Sequence, residues 1–183
     1  MGNPLQTLDI ELYTHKILNL KTIEEELFQP LRLNCSNVEE ELECKEYSGF
    51  NFTLNGWKIK FRISKITPTK TGQFVTIWKR NERGETAPFD ITDNFDFYLV
   101  AAFKDNLSGI FIFPKHILSQ KGILSDGKKT GKRGIRVYPA WDKAESKQAQ
   151  KTQDWQTKYF LTFSEDRDAV LQQAKILLNK KSY

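Results

Sequence analysis

In GFNFTLNGWKIKFRISKI, residues 49–66, two runs with apolar residues at alternate positions flank Asn55-Gly56. An Asn-Gly pair is the strongest short hairpin signal, because both residues tolerate the positive φ that a tight two-residue turn demands, so the two runs predict antiparallel strands. In the second run Trp57, Ile59, Phe61 and Ile63 alternate with Lys58, Lys60, Arg62 and Ser64. Successive strand side chains point to opposite faces, which predicts one core face and one basic face.

Working outward, TPTKTG (67–72) reads as a turn, and Gln73 to Arg80 as a third strand carrying Phe74, Val75, Ile77 and Trp78. Phe95–Phe103 and Gly109–Phe113 are nearly continuous apolar runs, the texture of strands buried on both faces, so helices are expected to pack on the sheet. KHILSQK (115–121) predicts a short helix ending at Gly122, Ile135–Tyr138 a short strand, and the glutamine-rich 143–160 a partly helical stretch. Ser164 is expected to cap a last helix with an apolar stripe of Val170, Leu171, Ala174, Leu177 and Leu178. Upstream, Asn3-Pro4 opens a helix with Leu5, Leu8, Leu12, Tyr13, Ile17 and Leu20 at near-helical spacing. Thr22 and Glu25 predict a capping box for a second helix that stops before Pro30, and Ser36-Asn37 with Glu39 to Glu41 a third ending at Gly49. With no repeat, long linker or low-complexity segment, residues 1–183 are expected to form one α+β domain, a mixed central sheet flanked by helices, with an acidic helical part at 1–48 and a basic sheet-containing body at 49–183.

The charge is unevenly placed. Residues 1–48 carry 4 basic and 10 acidic groups and the remainder 24 and 13, a division hidden by the formal net charge of +5. A positive field of that kind draws polyanions, which makes nucleic acid the expected partner, while the acidic N-terminal helices offer a surface to a protein partner. The start MGNPLQTLDIELYTHK lacks the layout of a secretory signal, and no apolar run approaches the roughly 20 residues that span a bilayer, so a soluble cytoplasmic protein without membrane attachment is expected. Cys35 and Cys44 are too few for a disulfide framework and are expected as reduced thiols.

Three ordered blocks resemble the MepB-like family of bacteria: EYSGFNFTLNGWKIKFRISKITPTKTGQFVTIWKR (46–80), PFDITDNFDFYLV (88–100) and GKRGIRVYPAWDKAESKQAQKTQDWQ (131–156). The resemblance covers about two thirds of the chain. It implies a restriction-endonuclease-like core and a gene placed beside a multidrug efflux pump and its repressor. A fold of that kind does not by itself imply a reaction.

Metal-assisted phosphodiester cleavage needs carboxylates to hold Mg²⁺ or Mn²⁺ and a lysine to stabilise charge. Nuclease-fold proteins usually supply an Asp and then a Glu-x-Lys triplet, whereas the triplet here is Ile77-Trp78-Lys79, and no acidic residue occurs between Gly49 and Arg80. The remaining candidates are Glu46, Asp93, Asp96 and Lys79, with Asp93 and Asp96 as the metal ligands if there are any. Asp96 opens a strongly apolar run and so needs a hydrogen-bonding partner or a metal. GKKTGKR (127–133) has three residues between its glycines and Arg after the Lys, which excludes a P-loop. His15 and His116 lack the close companions of a zinc site.

Nucleic-acid binding has stronger support. Residues 57–80 carry seven basic side chains and no acid, and 121–158 carry ten against four. The contact set read from these blocks is Lys58, Lys60, Arg62, Lys128, Lys129, Lys132, Arg133, Arg136 and Lys151, which can neutralise phosphates, with Trp141 and Trp155 as surface aromatics able to stack on unpaired bases. Trp57 and Trp78 are expected in the core. Glycines 131 and 134 are expected to let the loop backbone approach a phosphate. The function expected is binding of DNA or RNA without efficient catalysis and with no required cofactor. The alternatives are a metal-dependent nuclease or related phosphoester hydrolase, needing Mg²⁺ or Mn²⁺, and a protein-interaction module of a drug-resistance gene cluster.

Overall fold

The structure, a computed structural model, describes residues 20–41, 49–164 and 166–179. The predicted opening helix, Cys44 and Glu46 therefore lie outside the described residues. Eleven strands are described: β1 (Cys35–Glu40), β2 (Phe50–Leu54), β3 (Trp57–Ile63), β4 (Lys65–Thr67), β5 (Lys70–Thr76), β6 (Trp78–Arg80), β7 (Thr86–Pro88), β8 (Phe97–Lys104), β9 (Leu107–Pro114), β10 (Gly134–Val137) and β11 (Phe160–Thr162). The α-helices are α1 (Lys115–Gln120), α2 (Lys147–Gln156) and α3 (Arg167–Leu178).

The central sheet has six strands in the order β1-β2-β3-β8-β9-β11. It is mixed, because β3 and β8 run parallel while the other neighbours are antiparallel. The hairpin forms as expected: Asn55 and Gly56 take φ of 48° and 89° and bring Leu54 opposite Trp57. Asp105, at φ 52°, serves the same purpose in the tight turn between β8 and β9. The predicted third strand is divided at Ile77 into β5 and β6, which belong to different sheets.

The apolar runs do what burial on both faces requires. Along β8, Phe97, Leu99 and Ala101 enter one core while Tyr98, Val100 and Ala102 enter the other. The first core is closed by Ile23, Leu27 and Phe28 and by the α3 stripe of Val170, Ala174, Leu177 and Leu178. The second is closed largely by another sheet, β10-β5-β4, through Val75, Ile135 and Val137, together with Ile77 just beyond β5 and Leu118 of α1. The flanking layer on this side is thus mostly strand and not helix. Full burial of a side chain such as Phe61 or Phe113 contributes about 1.5–3 kcal/mol, which makes the central strands the most strongly held part of the fold.

Three local expectations are corrected. Residues 35–40 form β1 instead of a helix, paired from Cys35↔Leu54 to Glu40↔Phe50. Asn37, expected at the helix cap, sits at φ 54° inside the register shift between Ser36 and Glu39, and there it is a bulge residue. Thr22 does not open a helix, since residues 20–23 are already α-helical and run into a π-helical turn, Glu24–Phe28. The last helix is capped by Asp166, whose carboxylate accepts from the Ala169 N–H at 2.9 Å, two residues beyond the expected Ser164. Among the described residues no helix is long and apolar enough to cross a membrane.

Candidate nucleic-acid interface

Between β10 and α2 lies a groove of about 590 Å³. One wall comes from the β4–β5 turn, with Thr69, Lys70 and Thr71, the floor from Lys132 and β10, and the other wall from Gln148, Ala149, Thr152, Trp155 and Gln156 of α2. Lys121 and Ile123 close one end, and Tyr138 contributes a second aromatic side chain. Among the described residues, Lys70, Lys121, Lys132 and Arg136 face a single acidic lining residue, Glu145, so this lining is net cationic. The Lys121 ammonium stands 5.3 Å from the centroid of the Trp155 ring.

Local packing fixes these walls. Gly72, near the start of β5, has φ 81°, and a Cβ there would lie 2.7 Å from the Tyr138 ring and 2.8 Å from the Val137 carbonyl oxygen. Arg136 does not reach freely into solvent. Its Nη1 donates to the Gly72 carbonyl at 2.9 Å and to those of Lys70 and Thr71 at 3.3 Å, holding the β4–β5 turn against β10. On the opposite side Gln156, almost fully buried, donates from Nε2 to the Arg136 carbonyl at 3.0 Å and accepts from the Tyr138 N–H at 2.9 Å. Its amide acts as a strand partner along the outer edge of β10, where a free row of main-chain groups would need pairing. Ser146 caps α2 by accepting from the Ala149 N–H at 3.1 Å.

Of the expected contact residues, Lys132, Arg136 and Trp155 meet in this groove. Lys128 and Lys129 are exposed on a turn organised by Asp126, which accepts from their N–H groups at 3.0 and 2.8 Å; the N–H groups of Lys129 and Lys128 hold that carboxyl below its usual range. Arg133 is exposed and donates from Nε to the Thr86 carbonyl at 2.9 Å, and Lys151 is exposed on α2 away from the lining. Lys70 and Lys121 also belong to the groove; each lies within one of the two basic blocks but has no basic neighbour in sequence to single it out.

Other expectations fail for stated reasons. The Lys58, Lys60 and Arg62 face is not a free basic surface. Arg62 is fully buried and ion-paired with Glu41, and Lys60 shares that carboxylate at 2.7 Å and lies 4.8 Å above the Phe89 ring. Lys58 remains exposed and, with Lys60, Asn51 and Phe95, borders a smaller hollow of about 290 Å³. Trp141 packs edge-on against Phe160 at 5.2 Å instead of standing free at the surface. Trp78 is half-buried on β6 with the Arg80 guanidinium 5.2 Å from its ring, and not in the core. Trp57 packs on the first core, against Phe97, as expected. Gly131 and Gly134 serve packing: a Cβ on Gly131 would run into the main chain of Ile123 to Ser125, and one on Gly134 into the Phe74 ring.

The candidate cleavage residues have other partners. Asp93 is ion-paired with Lys79, and its second oxygen accepts from the Asp90 N–H at 2.7 Å. Lys115 donates to the Asp93 carbonyl. Asp96 accepts from the Lys58 N–H at 2.7 Å, so this carboxylate caps the start of β8, the satisfied strand-end role. Lys79 and Asp93 do meet, as an ion pair, with the other Asp93 oxygen taken by the Asp90 N–H. Among the described residues, no three His, Cys, Asp or Glu side chains are grouped to hold a metal.

The described residues thus define an α+β protein with a mixed central sheet, whose second sheet, β10-β5-β4, carries a cationic groove with aromatic walls. The chain belongs to the MepB-like family, whose model matches residues 41–162. The crystal structure of MepB superposes with a TM-score of 0.70 at 35% identity, over 72% of this chain and 89% of that one. A bacterial homing endonuclease, I-Ssp6803I, aligns over 99% of this chain and 100% of its own at 14% identity and a TM-score of 0.39, a superposition too loose to define a shared fold. No curated protein matches the chain.

Proposed function

We propose that this protein binds nucleic acid along the groove between β10 and α2 and does not cleave it. The groove's composition carries the reading: Lys70, Lys121, and Lys132 with Arg136 are brought together from three separate stretches of chain around Tyr138 and Trp155, with Glu145 as the one acidic lining residue among the described residues. Cations so placed neutralise backbone phosphates and release counterions, and aromatic faces in the same groove can stack on unpaired bases. The engagement of Asp93 by Lys79 and of Asp96 by the Lys58 N–H speaks against a metal-dependent nuclease.

The test is fluorescence anisotropy with labelled single-stranded RNA and DNA of about 16 nucleotides and with the corresponding duplexes. Replacing Lys70, Lys121 and Lys132 together with alanine is expected to weaken binding about tenfold or more while leaving the melting temperature within a few degrees, since all three are exposed. Unchanged affinity in that triple variant would remove the groove from consideration.

A further inference from the structure

Arg136 is fixed to both walls of the groove. Its guanidinium holds the carbonyls of Lys70, Thr71 and Gly72 on the turn side, and its own carbonyl accepts from the Gln156 amide on the α2 side. Gln156 completes the connection by accepting from the N–H of Tyr138, the residue that follows β10. Trp155, the neighbour of Gln156, faces the groove, and Lys70 stands on the opposite wall. Arg136 and Gln156 thus link the wall that carries Lys70 to the helix that carries Trp155, and the Gln156 amide does so without any contact to a ligand.

We infer that Gln156 is a positioning residue for the groove, one whose paired amide bonds to β10 seat α2 and hold Trp155 at the separation from Lys70 and Lys132 that a nucleotide chain requires. The inference rests on the nucleic-acid reading for its functional consequence, but the seating of α2 is measurable without any ligand. Two properties set Gln156 apart from an ordinary packing residue. It is 1% exposed, and both ends of its amide are used by main-chain groups of one strand edge, a donor and an acceptor in alternation. Only a side chain with one acceptor and one donor at that reach satisfies both. A carboxylate would retain the bond from the Tyr138 N–H and oppose the Arg136 carbonyl, whereas a protonated carboxyl would restore both contacts.

The substitution Gln156→Glu tests this through pH. Its readouts are the emission of Trp155, isolated by subtracting the spectrum of the matching Trp155→Phe protein, and anisotropy with the labelled single-stranded RNA, each relative to wild type at the same pH. At about pH 8 the Trp155 emission is expected to shift to the red and affinity to fall roughly fivefold; near pH 5, where a buried glutamate is protonated, both are expected to return toward wild type. Gln156→Met, which removes both bonds without adding a charge, is expected to shift emission and weaken binding equally at both pH values, and it carries the test if the Glu variant does not fold. Wild-type emission and affinity for Gln156→Glu at both pH values, or for Gln156→Met, would overturn the inference. If wild-type protein binds no oligonucleotide, the nucleic-acid reading fails on its own, and the emission arm still decides whether Gln156 seats α2.

Discussion

Arg62, with no solvent exposure, is ion-paired with Glu41, a residue 21 positions earlier that lies just beyond the end of β1. The guanidinium also donates from Nη1 to the Phe61 carbonyl at 2.8 Å and lies 5.8 Å from the Tyr98 ring. The pair ties the edge of the central sheet to its middle. Breaking a buried pair on one side costs far more than the pair is worth, because the remaining charge stays desolvated. Glu41→Ala is therefore expected to lower stability by about 3 kcal/mol, read as a lower urea midpoint at unchanged m-value.

The same carboxylate predicts the acid response. Burial would raise the Glu41 pKa from its ordinary value of 4.5, but the charges of Arg62 and Lys60 and the bonds from Lys60 and Asn51 outweigh burial and lower it. A group with a folded pKa below its unfolded one contributes stability that is present above the unfolded pKa and is lost as pH falls through the folded one. The urea midpoint is expected to drop as pH falls below 4.5. In Glu41→Gln that part of the acid loss is expected to disappear, and a wild-type acid profile in this variant would contradict the assignment.

Glycine substitutions should separate a turn cost from a packing cost. Gly56 has φ 89° with no atom of the described residues within 4 Å of an added Cβ, so Gly56→Ala is expected to meet the left-handed backbone penalty, about 1–2 kcal/mol. At Gly72, φ 81° is joined by contacts of 2.7 Å to the Tyr138 ring and 2.8 Å to the Val137 oxygen. Overpacking typically adds about 1–3 kcal/mol, so Gly72→Ala is expected to melt clearly below Gly56→Ala in the same calorimeter scan series.

Arg62 also shows how far sequence reading extends. Alternation in β3 correctly divided Ile59 and Phe61 from Lys60 and Arg62. It cannot say which face is wet, because that depends on the second sheet, which meets β3 through β5, and on Glu41 upstream. The β8 and β9 runs were legible for the complementary reason: apolar residues at consecutive positions require cover on both faces, whatever supplies it. Residues 35–40 misled because Ser36, Asn37 and the glutamates Glu39 and Glu40, followed by Glu41, carry local helix signals, while pairing with β2 is a tertiary choice. At the groove, the basic run around Lys132 and the polar-set Trp155 were visible in sequence. Lys70 and Lys121 were not, since only the fold brings isolated lysines from distant turns to one rim.

Catalysis is expected to be absent for a reason that Asp93 makes testable. With Mg²⁺ or Mn²⁺ and end-labelled RNA or DNA, no product above background is expected from wild type, and Asp93→Asn should leave that background unchanged, because Asp93 serves Lys79 and the Asp90 N–H. Metal-dependent product that vanishes in Asp93→Asn would restore the nuclease reading.

Salt dependence separates a groove effect from general surface charge. Affinity that comes from neutralising phosphates falls as log salt rises, with a slope of about 0.7 per contact for single strands, so titration from about 50 to 200 mM salt counts the contacts. Loss of Lys70, Lys121 and Lys132 is expected to flatten the slope by about 2 as affinity falls. The control is Lys21→Ala with Lys175→Ala. Both lysines are exposed on the helical segments that cover the first core, on the other side of the central sheet from the groove. That variant loses two positive charges yet is expected to keep nearly the wild-type slope, because exposed charges beyond a Debye length of roughly 8–10 Å contribute little at these salt concentrations. Equal flattening in both variants would assign the binding to the protein's net charge and not to the β10–α2 groove.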